Sequence, residues 1–191
     1  MQAYTWGKRT RQIDCVISKF VRNKNVFDLG AGSGELSMAL LNEFNANLVY
    51  AVDCKETYIK DVSDRLIVIQ DEFKNIFDLV KSSDIAFVSW PVNYRNGLPS
   101  LIREFNTVIY LGSNVGCNSC GTVNLFQHFL TRKILAHIPF KRNSLTVYGA
   151  LQKEKRFKKT GEEIAGLNPE IYYTFSRAEK NSQIPKLMPT L

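Results

Sequence analysis

Residues 26–36 read VFDLGAGSGEL, a short apolar run followed by three glycines at alternate positions and the start of a helical apolar pattern. An apolar run of this length that ends in glycines predicts a buried β-strand. Glycine accepts positive φ and lets the main chain approach a ligand closely, and the helix that follows begins with unpaired amide groups. The stretch therefore predicts a strand, a loop at Gly30, Gly32 and Gly34 that holds a nucleotide or nucleoside, and a helix.

Acidic residues around the loop narrow the choice of ligand. The dinucleotide pattern G-x-G-x-x-G requires glycine at position 35, where this chain has Glu35. Asp28 and Glu35 would repel a pyrophosphate and suit a ligand that carries an ammonium group. Asp53 follows the next apolar run, where a carboxylate can accept hydrogen bonds from both ribose hydroxyls. A nucleotide-dependent oxidoreductase is the alternative, and Glu35 argues against it.

Apolar spacing outside the loop predicts the remaining elements. Four further runs predict buried strands at 48–52, 66–69, 85–88 and 107–111. Helical spacing predicts helices over 13–21, 36–44 (with Ser33 as the cap), 73–80 and 126–134. Apolar and polar residues alternate over 145–152 and 171–175, which predicts two antiparallel strands.

These elements together predict an α/β fold. Strands that alternate with helices require right-handed crossovers and form a parallel sheet, and a final strand pair adds an antiparallel edge. We therefore expect a Rossmann-like, doubly wound, mostly parallel seven-stranded sheet with a C-terminal antiparallel strand pair. The 191 residues, 45% of them hydrophobic, fit a single domain over 1–191. It would comprise a leading helix (1–24), a cofactor-binding half (25–112) and a substrate-side half (113–191).

The loop, its acids and this element order resemble the class I S-adenosylmethionine-dependent methyltransferases over most of the chain. The resemblance implies that Asp28 and the loop residues Gly30, Ala31, Gly32 and Gly34 hold the amino-acid part of S-adenosyl-L-methionine. It also implies that Asp53 holds the ribose hydroxyls and that Asp71, after the third strand, takes the adenine amine. Two alternatives stay open: the glycines could serve only a strand–helix turn, and Asp71 could cap the helix that follows it.

The end of the fourth predicted strand reads Ser89-Trp90-Pro91. In the resembled family the methyl-accepting atom sits here. Amino-methyltransferases of nucleic-acid bases carry a polar or acidic residue, two prolines and an aromatic residue at this place. Ser89, Trp90 and Pro91 are therefore the catalytic candidates, although the second proline is absent; the alternative is a rigid turn with a core tryptophan. This turn, with VIYLGSNVGCNSCG at 108–121, is similar to a small methyltransferase-like branch and implies no substrate.

The predicted function is S-adenosylmethionine-dependent methyl transfer to an acceptor that is either a nucleic-acid base or a small molecule or protein. The alternative is a non-catalytic S-adenosylmethionine-binding module or partner subunit, because no general base stands out. His128 and His137 lie on the helix predicted over 126–134 and its extension, where packing or surface roles are more common than catalysis.

The net charge of +7 favours anionic partners. Arg132 and Lys133 belong to a late group of basic residues that includes the loop 153–159, between the two last predicted strands. That loop could hold a nucleic-acid phosphate backbone, or it could be a solvated hairpin loop balanced by nearby glutamates.

The remaining features exclude some classes of protein. Cys117-x-x-Cys120 has no second cysteine pair, so no metal site is predicted; its thiols are expected to be buried or neutral, and a redox role is the alternative. No apolar run approaches the roughly 18 residues of a membrane span, and the N-terminus lacks the apolar core of a signal peptide. We therefore expect a cytoplasmic protein without a membrane partner, and the sequence predicts no oligomeric state.

Overall fold

A computed structural model describes most of the chain up to Leu151, and all the described residues belong to one compact unit. The described residues are 10–55, 59, 63–90, 97–113, 125, 129, 131–140 and 143–151. Several predictions fall outside them and stay predictions. They concern Pro91, Cys117, Cys120, His128, the basic loop 153–159, the strand at 171–175 and the extent of a single domain over 1–191.

Seven strands form one sheet. In chain order they are β1 (Asn25–Leu29), β2 (Leu48–Asp53), β3 (Leu66–Gln70), β4 (Ile85–Ser89), β5 (Thr107–Ser113), β6 (Arg132–Phe140) and β7 (Asn143–Leu151). Their order across the sheet is β3-β2-β1-β4-β5-β7-β6, and β7 runs antiparallel to both of its neighbours. The prediction of a Rossmann-like, mostly parallel seven-stranded sheet with a C-terminal antiparallel pair is confirmed. All five strands predicted before residue 112 are present.

The partner of β7 differs from the prediction. It is β6, which precedes β7 in the chain, so residues 153–159 follow this strand pair instead of connecting it. The helix predicted over 126–134 is wrong at its end, because Ile134 lies in β6, and so does His137. Register shifts interrupt the β6–β7 ladder on both sides of Ile134 and hide the two-residue period of a strand.

The helices on either side of β1 match their apolar patterns. Helix α1 (Arg11–Val21) buries Ile13 and Ile17, and the Thr10 hydroxyl accepts a hydrogen bond from the Ile13 amide at 3.3 Å. Helix α2 (Glu35–Asn42) buries the predicted face as well. Its cap is not Ser33: the helix begins after a glycine in left-handed conformation, without a side-chain cap.

No α-helix forms over 73–80, contrary to the prediction. This segment consists of two 3₁₀ turns, Phe73–Asn75 and Phe77–Leu79. Asp and Asn side chains in such a segment hydrogen-bond locally and compete with helical backbone bonds. A short helix α3 (Leu98–Leu101) then leads through a further 3₁₀ turn into β5. None of the helices in the described ranges has the length and apolarity that crossing a membrane requires.

Apolar layers pack on both faces of the sheet. One face is covered by α1 and α2, with Ile17 and Leu40 fully buried. The other face packs against α3 and the 3₁₀ turns around Phe27 and Phe105. The two layers hold β1 in the interior of the sheet and present its C-terminal end, with the glycine loop, at the carboxyl end of the parallel strands.

Arg132, one of the late basic residues of the sequence, is buried in the structure. Its side chain is 4% exposed, and Nη1 donates to the carbonyl oxygens of Phe105 (2.8 Å) and Gly149 (2.9 Å). Nη2 donates to the carbonyl oxygen of Ile102. Burial, together with a smaller contribution from the charge of Arg103, lowers the pKa of Arg132 to about 10. This guanidinium therefore joins β6, β7 and the turn before β5.

Candidate cofactor site

The glycine loop has the main-chain conformation that its sequence predicts. Gly30, Gly32 and Gly34 have φ angles of +91°, +53° and +78°, all in the region that favours glycine. A Cβ atom added at Gly30 or at Gly32 would meet no atom of the described residues within 4 Å. A Cβ at Gly34 would instead overlap the side chain of Ile59. The first two glycines therefore border open space, and the third is required by packing.

The amide groups of the loop are largely satisfied within the protein. Gly30 and Ala31 donate to the carbonyl oxygen of Val52 at 2.8 and 3.0 Å, and Gly32 donates to Oδ2 of Asp53 at 2.9 Å. A bound pyrophosphate would need such amides as donors. Their internal use favours a ligand that the loop contacts by close approach and by its acidic neighbours.

Asp53 lies at the end of β2, next to the loop. Its Oδ2 accepts from Gly32, and its Oδ1 accepts from the Lys55 amide at 3.0 Å. The side chain is half-buried. An ionised carboxylate offers about four lone-pair directions, so Asp53 retains acceptor capacity for the hydroxyl groups of a ligand.

Asp28 is a fully buried carboxylate on β1, below α2. Its Oδ2 accepts from the Ser37 hydroxyl at 2.6 Å, whereas its buried Oδ1 has no hydrogen-bond partner in the described part of the chain. Burial raises the pKa of Asp28 to about 7; the Ser37 hydrogen bond opposes the rise and the charge of Asp53 adds to it. An unpaired buried acceptor is costly, so this oxygen is suited to a donor or a cation supplied by a ligand.

Asp71 follows β3, and its amide donates to the carbonyl oxygen of Asp53 at 3.0 Å. Its Oδ1 accepts from Nδ2 of Asn75 and from the Glu72 amide, both at 2.7 Å. These two hydrogen bonds, the Asn75 bond first, lower the pKa of Asp71 below its usual value. The carboxylate thus supports the first 3₁₀ turn locally, and its adenine role stays a prediction.

The turn after β4 has an unusual main chain. Ser89 ends β4, and Trp90 has a φ of +42°, although a non-glycine residue in that region costs about 1–3 kcal/mol. The Trp90 amide donates to the carbonyl oxygen of Leu111 at 2.8 Å, which fixes the turn against β5. Both side chains are half-buried. Because β4 runs parallel to β1 and pairs with it, this turn lies at the same end of the sheet as the glycine loop, the carboxyl end of the strands.

The predicted residues therefore gather at the carboxyl ends of four neighbouring strands, β3, β2, β1 and β4. Sequence reasoning missed Ser37, the hydrogen-bond partner of Asp28. A serine on the apolar face of α2, between Leu36 and Leu40, was the available signal. His137 is placed elsewhere: it lies on β6, with Nδ1 2.9 Å from the Thr146 hydroxyl.

Comparisons with known proteins identify the fold. The ribosomal protein L11 methylase of Lactobacillus delbrueckii subsp. bulgaricus matches with a TM-score of 0.54 and 16% identity, over 75% of this chain and 79% of its own. A Listeria monocytogenes protein, provisionally named an S-adenosylmethionine-dependent methyltransferase, matches with 0.52 and 14%, over 72% and 97%. MtNAS, in complex with MTA and tNA, matches with 0.56 and 12%, over 73% and 58%.

No protein-family model and no curated protein sequence matches the chain. At these identities the similarity concerns the fold alone. The chain has a class I methyltransferase-like fold, and several of its structural neighbours are named as methyltransferases or methylases.

Proposed function

We propose that this protein binds S-adenosyl-L-methionine at the glycine loop and transfers its methyl group to an acceptor beside the turn after β4. The observation that carries the proposal is the buried Oδ1 of Asp28, which lacks a partner and lies on the strand that leads into the open space at Gly30 and Gly32. A cationic amino-acid group suits such an oxygen, whereas a phosphate would be repelled by it.

The other acids define how the rest of the cofactor would lie. Asp53, held by the Gly32 and Lys55 amides, would accept hydrogen bonds from the ribose hydroxyls. Asp71, tied to Asp53 through its own amide, would receive the adenine amine. The methyl group of a bound sulfonium is already activated for in-line displacement. The task of the protein is then to align the acceptor and exclude water.

The turn at Ser89 and Trp90 is the part of the chain that would align the acceptor. Its strained main chain is fixed by the bond to Leu111, and strained backbone is concentrated at functional sites. The Ser89 hydroxyl and adjacent carbonyl groups would accept hydrogen bonds from an acceptor amine, and Trp90 would pack against its body. Pro91 completes this predicted group.

Titration calorimetry with S-adenosyl-L-methionine tests the cofactor proposal. Wild type should bind, and Asp53→Ala should weaken binding at least tenfold, because about 1.4 kcal/mol or more is lost with the ribose hydrogen bonds. Glu104→Ala is the matched control and should bind like wild type. Glu104 is an exposed acid before the start of β5, so it lies at the amino-terminal end of the strands, away from the loop. Unchanged binding in Asp53→Ala would remove the ribose assignment. Uptake of a dinucleotide in place of S-adenosylmethionine would overturn the proposal.

Turnover separates an enzyme from a non-catalytic module. Formation of S-adenosylhomocysteine should depend on a methyl acceptor, and nucleic acids, small amines and proteins are the classes to supply. Trp90→Ala should reduce this turnover more than tenfold while its affinity for S-adenosylmethionine changes little, because Trp90 is assigned to the acceptor. Cofactor binding without turnover on any acceptor class would support the partner-subunit alternative.

Salt-dependent binding of nucleic acid would test the loop 153–159.

A further inference from the structure

Strand β3 lies at one edge of the sheet, and its outer side is unpaired among the described residues. Among the strands that the structure describes, β3 is hydrogen-bonded to β2 alone. The Val49 amide donates to the carbonyl oxygen of Arg65, and the Asp71 amide donates to that of Asp53. In a parallel ladder, alternate residues bond to the same neighbour. The odd-numbered residues of β3 therefore bond to β2, and the amide and carbonyl groups of Val68 point to the open side.

The open edge is apolar and lacks the usual protection against pairing. Its sequence, LIVIQ over 66–70, contains no proline and no charged residue, the devices that most often protect edge strands. Ile67 is 41% exposed, although it lies in the middle of a strand. Val68 and Ile69 are half-buried. This edge can therefore accept a further strand, which would also cover Ile67.

The edge is complementary to itself in one antiparallel register. If two copies of β3 meet with Val68 opposite Val68, Ile67 of each copy faces Ile69 of the other, and Leu66 faces Gln70. The same register places Arg65 of each copy opposite Asp71 of the other, so opposite charges meet at both ends. Val68 then forms a hydrogen-bonded pair, and Ile67–Ile69 forms the closer non-hydrogen-bonded pair, in which side chains interact most strongly.

We propose that a second copy of this chain pairs with β3 in this register and forms one continuous sheet through a two-fold axis at Val68. A two-fold interface uses the same surface patch on both copies, which is the property that this register satisfies. The hydrogen-bonding parity agrees as well, because the residues with outward amide and carbonyl groups are those that the register makes hydrogen-bonded pairs. Parity and apolar contact are thus compatible with this axis, and the pairing of Arg65 with Asp71 selects it among the registers that parity allows.

Charge reversal and mixing test the register. Arg65→Asp places two acids together at each end of the interface, and Asp71→Arg places two bases together, so each variant alone should weaken dimerisation at least tenfold. An equimolar mixture should regain the dimer, because Asp at position 65 of one variant meets Arg at position 71 of the other. Lys81→Asp, an exposed charge reversal before β4, should leave the dimer unchanged. Sedimentation equilibrium of the full chain measures all four.

A cross-linking experiment keeps the test decisive if either charge variant folds poorly. In a chain whose four cysteines are replaced by serine, Val68→Cys should give a covalent dimer with a short bifunctional thiol reagent, since position 68 faces itself. Ser100→Cys, at an exposed position of α3, should give none. A monomeric wild type overturns the proposal. So does a dimer that neither charge-reversal variant weakens. Both experiments measure the molecular mass of the assembly. Their outcome therefore does not depend on the predicted adenine role of Asp71.

Discussion

At Gly34 the main chain has a φ of +78°, and a Cβ atom would lie 2.6 Å from Cδ1 of Ile59. Alanine in this conformation costs about 1–2 kcal/mol, and crowding of a packed site costs about 1–3 kcal/mol more. Gly32 has the same kind of φ but borders open space. Gly34 is thus required by packing against Ile59, whereas Gly32 leaves space that a ligand can occupy.

This difference leads to a paired prediction. Gly34→Ala should lower the free energy of unfolding by about 2–5 kcal/mol, whereas Gly32→Ala should lower it by only about 1–2 kcal/mol. Gly32→Ala should nevertheless weaken S-adenosylmethionine binding more than tenfold, because its methyl group would occupy the space proposed for the ligand. Urea unfolding and calorimetry on the same preparations measure both effects. A Gly32→Ala variant that binds normally would contradict this placement of the ligand.

The residues of the candidate site could be predicted from the sequence where their chemistry is local. Asp28 lies within an apolar run, the glycines and Asp53 follow such runs, and the carboxyl ends of parallel strands meet at one end of the sheet. The partner of Asp28 could not be predicted with the same ease, because the contact with Ser37 depends on how α2 packs on β1. The left-handed conformation of Trp90 depends on its bond to Leu111 in β5, which is also a long-range contact.

At the scale of elements, the connection between β6 and the turn before β5 depends on Arg132. Its guanidinium donates to three carbonyl oxygens, two in the turn before β5 (Ile102 and Phe105) and one in β7 (Gly149). Each carbonyl that loses a charged donor inside the protein costs about 1–3 kcal/mol. The adjacent Lys133 is exposed and has the same charge, so the two neighbours form a matched pair.

Arg132→Met should lower the free energy of unfolding by about 3 kcal/mol or more, because methionine fills the space without donating. Lys133→Met should change it by no more than about 0.5 kcal/mol. Arg132→Lys should recover only part of the loss, since an ammonium group cannot reproduce the planar fork. Denaturant unfolding followed by circular dichroism measures the series, and equal effects at positions 132 and 133 would contradict the assigned role.

Two elements were wrongly predicted for identifiable physical reasons. The apolar spacing over 73–80 resembles that of a helix, but Asp71 and Asn75 form side-chain bonds that lead into a 3₁₀ turn. In β6, bulges break the two-residue period, and the edge position tolerates Pro139. In both cases a local interaction replaces the periodic signal on which sequence interpretation depends.

For the whole molecule, the fold class was predictable because it depends on repeated, redundant signals. Five apolar runs separated by helices are sufficient for a parallel sheet, and the loss of one helix does not alter the strand order. The identity of the seventh strand was less secure, because a hairpin partner can precede or follow β7 with the same alternation. Strand pairing is a long-range property, whereas strand formation is mostly a local one.

Asp28 makes the stability of the whole domain depend on pH. The pKa of Asp28 is about 7 in the folded chain, against an ordinary value of 3.8. The folded state therefore binds more protons than the unfolded state between these values, and the contribution of Asp28 to stability falls as pH rises. It is fully present below about pH 4 and is lost as pH rises through about 7.

Between pH 5 and pH 8, wild type should lose about 2–3 kcal/mol of unfolding free energy through this carboxyl group, and Asp28→Asn should not. The difference between the two proteins isolates Asp28, because their other groups titrate alike. A difference that does not vary with pH would contradict the raised pKa.

Saturating S-adenosylmethionine should reduce the loss of unfolding free energy in wild type, because a cationic amine near Oδ1 favours the ionised carboxylate. Asp28→Asn should therefore be more stable than wild type at pH 8 and bind the cofactor less tightly.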